Sequence, residues 1–185
     1  MMKRAMLIKG VTACGIFAVA ASALAGPLTQ EEKADNATSS PAELTTAKLE
    51  NSIGTRCALG EGVPQNYSLA AQWFQKAAEH GYAKAQYNLA NLYYFGQGVK
   101  QDYALAAQWF AKAAAQQLAA AQYNLGNLYY LGQGVPQDFA KAAYWWQQAE
   151  AQGVTQARAN LAVLAKMHIQ PSAENTVVTV AQEKR

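Results

Sequence analysis

The residues that could carry acid–base or nucleophilic chemistry are few in this 185-residue chain, and none stands in a catalytic spacing. The sequence contains no G-x-S-x-G, S-x-x-K, H-E-x-x-H or C-x-x-C pattern. His80 lies beside a glycine that is expected to end a helix, where the helix dipole favours an imidazole. The other histidine, His168, follows the last repeat described below. We therefore predict no catalytic residue, no metal site and no cofactor.

Carboxylate side chains are sparse in the central part of the chain, so an acid–base pair is not expected there. Those between residues 60 and 151 are Glu61, Glu79, Asp102, Asp138 and Glu150. Asp102 and Asp138 each follow a glycine-rich loop and precede an apolar helical pattern, where a carboxylate accepts hydrogen bonds from the new helix. These two positions predict helix starts rather than catalysis.

A tandem repeat dominates the organisation of the chain. A block that begins at Gly60 recurs at Gly96 and again at Gly132, so the period is 36 residues. Residues 60–95 match residues 96–131 at 24 of 36 positions, and the third copy drifts after its first half. A period of this length is typical of a solenoid, in which each unit buries its apolar face against its neighbours. Because such an array presents an extended surface, the first expectation is a binding module.

The first helix of each unit has a clear start signal and a clear inward stripe. Asn66, Asp102 and Asp138 occupy the same place in the three copies and are expected to cap this helix. In the middle copy its inward face follows helical spacing. That face comprises Tyr103, Ala106, Phe110, Ala113 and Ala114.

The first helix is expected to end at a left-handed residue, and a second helix follows. Gly81 and Gly153 suit that conformation, whereas Gln117 replaces glycine in the middle copy and should cost about 1 kcal/mol if it adopts it. The second helices are predicted to begin near Ala85, Ala121 and Ala157. The inward stripe of the first of them is Ala85, Leu89, Leu92 and Tyr93.

These fixed positions resemble the Sel-one-like repeat, a relative of the tetratricopeptide repeat. One copy of the pattern A-x-x-x-L-G-x-x-Y-x-x-G-x-G-V-x-x-D-x-x-x-A-x-x-W-x-x-x-A-A begins at Ala121. Its fixed positions recur in register, so the resemblance covers about residues 47–167. Ala90, Asn66 and Glu150 depart from it. The resemblance implies an all-α fold, a right-handed α/α solenoid of helix-turn-helix repeats. The expected structural positions are Gly60, Gly62, Trp73, Leu89, Tyr93, Gly96, Gly98, Asp102, Trp109, Leu125, Tyr129, Gly132, Gly134, Asp138 and Trp145.

The predicted organisation has four parts. Residues 1–25 form a signal peptide and residues 26–43 a disordered leader, because the latter are polar and lack an apolar period. Residues 44–168 form the solenoid, with units that start near 60, 96 and 132 and a degraded half unit at 44–59 that caps the N-terminus. The last helix caps the other end, and residues 169–185 form a flexible tail. Cys57 falls on a core position of the half unit, so we expect a buried thiol, with an intermolecular disulfide as the alternative.

The N-terminal segment predicts export. Lys3, Arg4 and Lys9 precede an apolar stretch, and a small-x-small cleavage site ends at Ala25. We expect a periplasmic or secreted protein after cleavage there. The alternative is a lipoprotein anchored through Cys14, because residues 11–14 resemble a lipobox, although Lys9 interrupts the apolar run before it.

Charge after cleavage argues against a nucleic-acid partner. Three of the fifteen basic residues lie in the signal segment, so twelve remain to balance the twelve acidic ones. A chain without net positive charge has no basic stripe to neutralise phosphates. No membrane span is expected in the mature chain, since no remaining apolar run approaches the ~18 residues that spanning requires. The sequence names neither a partner nor an oligomeric state.

Two repeating series invite a functional interpretation and have a packing alternative. Trp73, Trp109 and Trp145 could form a stacking platform, but we expect them to be core, so Trp109→Ala should cost about 3–5 kcal/mol. Polar positions on the otherwise apolar second helices are Asn88, Asn91, Asn124 and Asn127. We expect these asparagines to bind loop backbone in the next unit, with ligand contact as the alternative.

The outward side of the first helices is the candidate partner-binding face. In related helical solenoids the first helices line the concave face, and glutamine and lysine there suit a peptide's backbone and carboxylates. A solvated face without function is the alternative. The candidate residues are Gln72, Gln75, Lys76, Gln108, Lys112, Tyr144, Gln147 and Gln148.

The resemblance implies a scaffold or adaptor that binds another protein or peptide. Two rivals belong to other classes: a β-lactam-binding or hydrolysing protein, and an envelope protein that assembles on itself. The first is disfavoured because cysteine-rich members linked to penicillin binding carry paired cysteines in each repeat, which this chain lacks.

Overall fold

The computed structural model describes residues 40–167, which form seven helices and no strand within that range. The predicted signal peptide, most of the leader and the tail, with Cys14 and His168, lie outside the described residues. The helices are α1 (Pro41–Leu59), α2 (Tyr67–Glu79), α3 (Ala83–Phe95), α4 (Tyr103–Ala115), α5 (Ala119–Leu131), α6 (Phe139–Ala151) and α7 (Thr155–Lys166). Each packs against the helix before it and the helix after it, so the all-α solenoid is confirmed.

Helix starts follow the local chemistry of the chain. The Oδ1 atoms of Asn66, Asp102 and Asp138 all accept backbone N–H groups in the first turn of the helix that follows, as expected of caps. Burial raises the pKa of Asp138, but hydrogen bonds and the ammonium of Lys141 outweigh it, so the pKa of this carboxyl lies below its usual value.

The N-terminal helix begins earlier than expected. It starts at Pro41, because Ser40 and Glu43 form a capping box in which each side chain binds the backbone N–H of the other. Residues 41–43 are therefore helical and do not belong to the leader. The second helices also begin two residues early, at Ala83, Ala119 and Thr155.

Left-handed residues end the helices where the sequence predicts them. Gly81 and Gly153 have φ of 83° and 91°, and Gln117 has φ of 61°, so the glutamine of the middle copy adopts the same left-handed conformation as the two glycines. Gly98 matters for a second reason. A Cβ atom there would lie 2.3 Å from the Tyr67 carbonyl carbon, because its loop packs directly on the start of α2.

The core of each unit contains one fully buried aromatic ring from an even-numbered helix. Phe74, Phe110 and Trp146 are 3%, 1% and 2% exposed. Glycine makes room for the first and the last: a Cβ at Gly54 would lie 2.7 Å from the Phe74 ring, and one at Gly126 would lie 2.5 Å from Trp146. The expected thiol burial is also found, since Cys57 is 1% exposed.

The tryptophan series predicted as core needs correction. Trp73, Trp109 and Trp145 are only half-buried and pack against the edge of the core, whereas the next residue along the chain fills its centre. The predicted stripe of α4 is correct for four of its five residues, because Ala106, Phe110 and the two alanines that follow at helical spacing are buried, while Tyr103 is half-buried.

Candidate binding surface

The glutamine–lysine face of the even-numbered helices is exposed, but packing accounts for several of its residues. Lys76 Nζ lies 4.5 Å from the ring centroid of Trp73, and Lys112 Nζ lies 4.0 Å from that of Trp109. Each lysine covers the half-buried indole three residues earlier, a favourable cation–π contact. The recurrence of lysine at this position therefore does not require a partner.

The remaining members of this face do not line the groove described below. Gln75 Nε2 donates a 2.6 Å hydrogen bond to Glu79, so its amide is engaged within its own helix. The others point into solvent and make no side-chain hydrogen bond within residues 40–167. They are Gln72, Gln108, Tyr144, Gln147 and Gln148.

A groove lies instead on the layer of odd-numbered helices, between α3 and α5. Its volume is about 270 Å³. Two helices supply its sides and Phe110 closes its floor, because α4 packs between them. The lining residues are Asn91, Tyr94, Phe95, Phe110, Asn124 and Asn127.

The groove asparagines differ in how their amides are satisfied. Asn127 Oδ1 accepts hydrogen bonds from Trp146 Nε1 at 3.1 Å and from Asn160 Nδ2 at 3.3 Å, so it is held by α6 and α7. Asn91 and Asn124 make no side-chain hydrogen bond within residues 40–167 and are half-buried at the groove. Their amide donors and acceptors therefore have no side-chain hydrogen bond in this range, at two positions that line the recess.

The hydrogen-bond partners that we predicted for the four asparagines were wrong. None of the four binds loop backbone in the next unit. Asn88 Nδ2 donates to Asn51 Oδ1 on α1 at 3.0 Å, and Asn127 binds side chains as described above. The alternative of ligand contact is compatible with Asn91 and Asn124. Their position on otherwise apolar helices was the sequence signal for this groove.

Aromatic contacts fix the apolar wall of the groove. The rings of Tyr94 and Phe95 meet edge to face with centroids 4.9 Å apart, and Tyr94 also meets Tyr103 at 5.2 Å. The Tyr94 hydroxyl lies 3.4 Å from Gln133 Oε1 in the loop of the next repeat. Tyr94 is held from two sides, whereas Phe95 is 62% exposed.

The two helices that form the sides of the groove carry almost no charge. Helix α5 contains no charged residue, and α3 contains only Lys84, near its start and away from the lining. Within residues 40–167 no group of histidine, cysteine or carboxylate side chains could hold a metal ion. The arrangement offers amide groups and apolar rings, which suits recognition rather than bond making.

No helix in the described range is long and apolar enough to cross a bilayer.

Comparison with known proteins agrees with the fold and changes the register of the repeats. The model of the Sel1 repeat matches residues 52–82, 83–118 and 119–154. The first match begins at residue 52, inside α1, and the second and third begin with α3 and α5. We had placed the unit starts near 60, 96 and 132. The odd-numbered helices are therefore first in the family's register, and the glutamine–lysine face lies on its second helices.

Two solved structures of bacterial proteins are similar to this chain in fold and in sequence. A protective antigen of uropathogenic Escherichia coli with an SLR fold is 37% identical, with a TM-score of 0.66 over 69% of this chain and 27% of its own. A Sel1 repeat protein from Oxalobacter formigenes is 32% identical, with a TM-score of 0.67 over 72% of this chain and 56% of its own. This chain thus spans about a quarter of the first and just over half of the second.

Cysteine-rich protein B of Helicobacter pylori shares the fold at 24% identity and a TM-score of 0.54, over 74% of this chain and all of its own. No curated protein matches the sequence at a significant level. Because the repeat model covers residues 52–154 and recurs three times in register, the chain belongs to the Sel1 repeat family.

Proposed function

We propose that this protein is a scaffold that binds an extended, uncharged peptide segment of a partner in the groove between α3 and α5. Sel1-repeat proteins are generally protein-interaction scaffolds. The observation that carries the proposal is that Asn91 and Asn124 present unbonded amides next to an exposed apolar ring, Phe95.

Amide side chains fit a peptide backbone because each offers two donors and one acceptor group. An extended peptide exposes its N–H and C=O groups along its length, and these need partners when the peptide leaves water. Asn91 and Asn124 lie on opposite sides of the groove, on α3 and α5. Together they would bind both edges of a peptide laid between the helices, while Phe95 covers an apolar side chain.

The charge distribution separates this groove from the glutamine–lysine face. A peptide carboxylate bound by Lys76 or Lys112 would lose affinity as salt screens the attraction. Binding between amides and apolar rings should depend little on salt. We therefore expect an affinity that changes less than about twofold between 50 mM and 500 mM NaCl.

The test is selection of peptides on the full-length protein from a phage-displayed library of random 12-residue sequences. Recovered peptides should be poor in charge, and their synthetic forms should bind at least tenfold more weakly to Asn91→Ala/Asn124→Ala. The matched control is Gln72→Glu/Gln108→Glu/Lys112→Glu on the opposite layer, which should bind as wild type does. Loss of binding by this control with the asparagine variant unaffected would move the site to the glutamine–lysine face.

Export to the periplasm or cell exterior is part of the same proposal. Its support is the basic, apolar and small-residue order of residues 1–25. The intact mass of the protein purified from its own cells should correspond to a chain that begins at Gly26. A lipid-modified chain that begins at Cys14 would contradict it.

The β-lactam rival has no support in the groove. The described residues place no serine or cysteine in its lining. Incubation with a fluorescent penicillin should leave the protein unlabelled, and covalent labelling would revive that rival.

A further inference from the structure

An exposed apolar residue occurs at the same position of every unit. Leu59, Phe95, Leu131 and Met167 stand 36 residues apart. The first three are the last residues of α1, α3 and α5, and Met167 directly follows the last residue of α7. They are 61%, 62%, 53% and 48% exposed, so none is needed to fill the core. We call these four residues the apolar ridge.

The backbone presents the first three ridge residues in the same way. Gly60, Gly96 and Gly132 follow them directly, with φ of 76°, 68° and 68°. The N–H of each glycine binds the carbonyl oxygen four residues earlier, which ends each helix in the same geometry. The side chains just before these glycines therefore recur with the period of the solenoid.

Simple duplication of the repeat does not explain the ridge. Neighbouring positions behave differently: Tyr94 and Tyr130 are identical in the two central copies, but the equivalent residues of the outer copies are Ala58 and Lys166. The ridge positions vary as leucine, phenylalanine, leucine and methionine, yet all four are large and apolar. Exposed apolar residues scattered singly need no explanation, whereas those gathered on one surface mark an interaction site. Because four of the exposed large apolar residues fall at one position of the repeat, they belong to the second kind.

The ridge is continuous with the groove, because Phe95 belongs to both. The central pair, Phe95 and Leu131, lies on helices whose only charged residue is Lys84, near the far end of α3. An uncharged occupant matches this surface, since a charged one would lose hydration without gaining an opposite charge.

The size of the ridge favours a narrow occupant over a second copy of the chain. Four half-exposed large side chains offer on the order of 400 Å², if each exposes about half of the ~150–250 Å² that a large side chain can bury. Each partner in a standard protein interface contributes about 800 Å². A single extended segment needs less, because only one row of its side chains faces the ridge.

We infer that the apolar ridge binds apolar side chains of one uncharged, extended segment, which runs from the groove along successive repeats. This inference rests on the proposed function and extends its site from one groove to the length of the described solenoid. It predicts that affinity grows with the number of repeats that the segment reaches.

The test uses synthetic uncharged peptides of 6, 12 and 18 residues. Each length is made in three versions, with leucine at every second, every third or every fourth position and serine and glutamine elsewhere. Binding to the full-length protein is measured by fluorescence anisotropy. In at least one leucine spacing, the 18-residue peptide should bind at least tenfold more tightly than the 6-residue peptide. Leu59→Ser/Leu131→Ser should reduce this gain at least fivefold.

The matched control is Leu49→Ser. Leu49 lies on α1 as Leu59 does and is 60% exposed against 61%, but it is off the ridge. This variant should bind all peptides as wild type does. Equal weakening by Leu49→Ser and by the ridge variant would overturn the ridge as a specific surface.

The outcomes separate this inference from the proposed function. If Asn91→Ala/Asn124→Ala weakens the peptides selected from the library but the ridge variant has no effect, the groove acts alone and the ridge is overturned. No length-dependent binding in any spacing would overturn it as well. Sedimentation that shows a wild-type dimer and a monomeric ridge variant would identify a second copy as the occupant and overturn the inference.

Discussion

Glu50 and His80 face each other across α1 and the end of α2, with Oε2 and Nε2 3.8 Å apart. They stand 36 residues before Gln86 and Gln116, whose side chains share a 2.8 Å hydrogen bond at the same place in the next unit. The third unit repeats the amide pair, because Gln152 Nε2 donates to Gln122 Oε1 at 2.8 Å. In the other units a pair of glutamines forms this link. The N-terminal unit has a carboxylate and an imidazole in their place.

Restoring the amide pair should stabilise the N-terminal unit. Glu50 Oε2 is buried and has no hydrogen-bond partner in the described structure. Glu50→Gln/His80→Gln should therefore raise the free energy of unfolding by about 1 kcal/mol, the net value of one such bond. Urea denaturation at pH 7 measures it.

The reverse exchange, Gln86→Glu/Gln116→His, is the matched control. It should lower stability by about 1–3 kcal/mol, because Gln86 Nε2 also donates to the Ala78 carbonyl and a glutamate cannot. Equal stabilities for both double variants and wild type would contradict this account.

Two neighbouring aromatic residues of α4 should differ in their contribution to stability. Phe110→Ala should cost about 3–5 kcal/mol, because its ring is 1% exposed and its removal leaves a cavity. Trp109→Ala should cost about 1–2 kcal/mol, since the half-buried indole loses part of its apolar contact and the cation–π contact with Lys112. Denaturant unfolding of both variants tests the order, and a larger loss for Trp109→Ala would reverse our assignment of the core.

Glycine should be better than glutamine at position 117. Gln117 holds φ of 61°, a conformation that costs a residue with a Cβ about 1–2 kcal/mol. Gln117→Gly should therefore raise stability by about 1 kcal/mol in thermal or urea unfolding. The opposite exchange, Gly153→Gln, should lower it by a similar amount, because Gly153 has φ of 91°. A neutral result at both sites would show that other contacts dominate there.

Gly98→Ala should lower the free energy of unfolding by more than backbone strain alone would, because the site is closely packed. A Cβ at Gly98 would collide with the backbone of Tyr67 and Ser68 at 2.3–2.4 Å, and Ser68 Oγ also donates to the Gly98 carbonyl at 2.9 Å. We expect a loss of more than about 2 kcal/mol, since overpacking adds to the backbone strain. Gly153→Ala is the control, because nothing lies within 4 Å of its Cβ and only about 1 kcal/mol of strain should appear.

Hydrogen exchange can locate the Gly98 effect. Amides at the start of α2 and in the loop after α3 that contains Gly98 should exchange faster in Gly98→Ala than in wild type, because this contact joins two units. Unchanged exchange there, together with unchanged stability, would show that the loop moves aside without cost.

Features that depend on neighbouring residues in the chain could be predicted from the sequence alone. The 36-residue period is the recurrence of residues in the sequence itself. The caps at Asn66, Asp102 and Asp138 and the left-handed position held by Gln117 follow from hydrogen bonds and steric limits within one turn of backbone. The all-α solenoid follows from these local signals together with the repeat.

Features that depend on how helices meet were decided by the tertiary structure. Two adjacent aromatic residues, Trp109 and Phe110, both suit an apolar stripe, and only the packing of α4 against α3 and α5 selects Phe110 for the centre. From the sequence alone, Lys112 was a candidate residue for binding a partner. In the structure its ammonium makes a cation–π contact with the Trp109 ring instead. The groove was also decided by the tertiary structure. Asn91 and Asn124 are distant in sequence, and they line one recess only because α3 and α5 lie side by side around Phe110. Sequence spacing determines which residues share a face of one helix, whereas the volumes of the side chains between helices determine which faces meet.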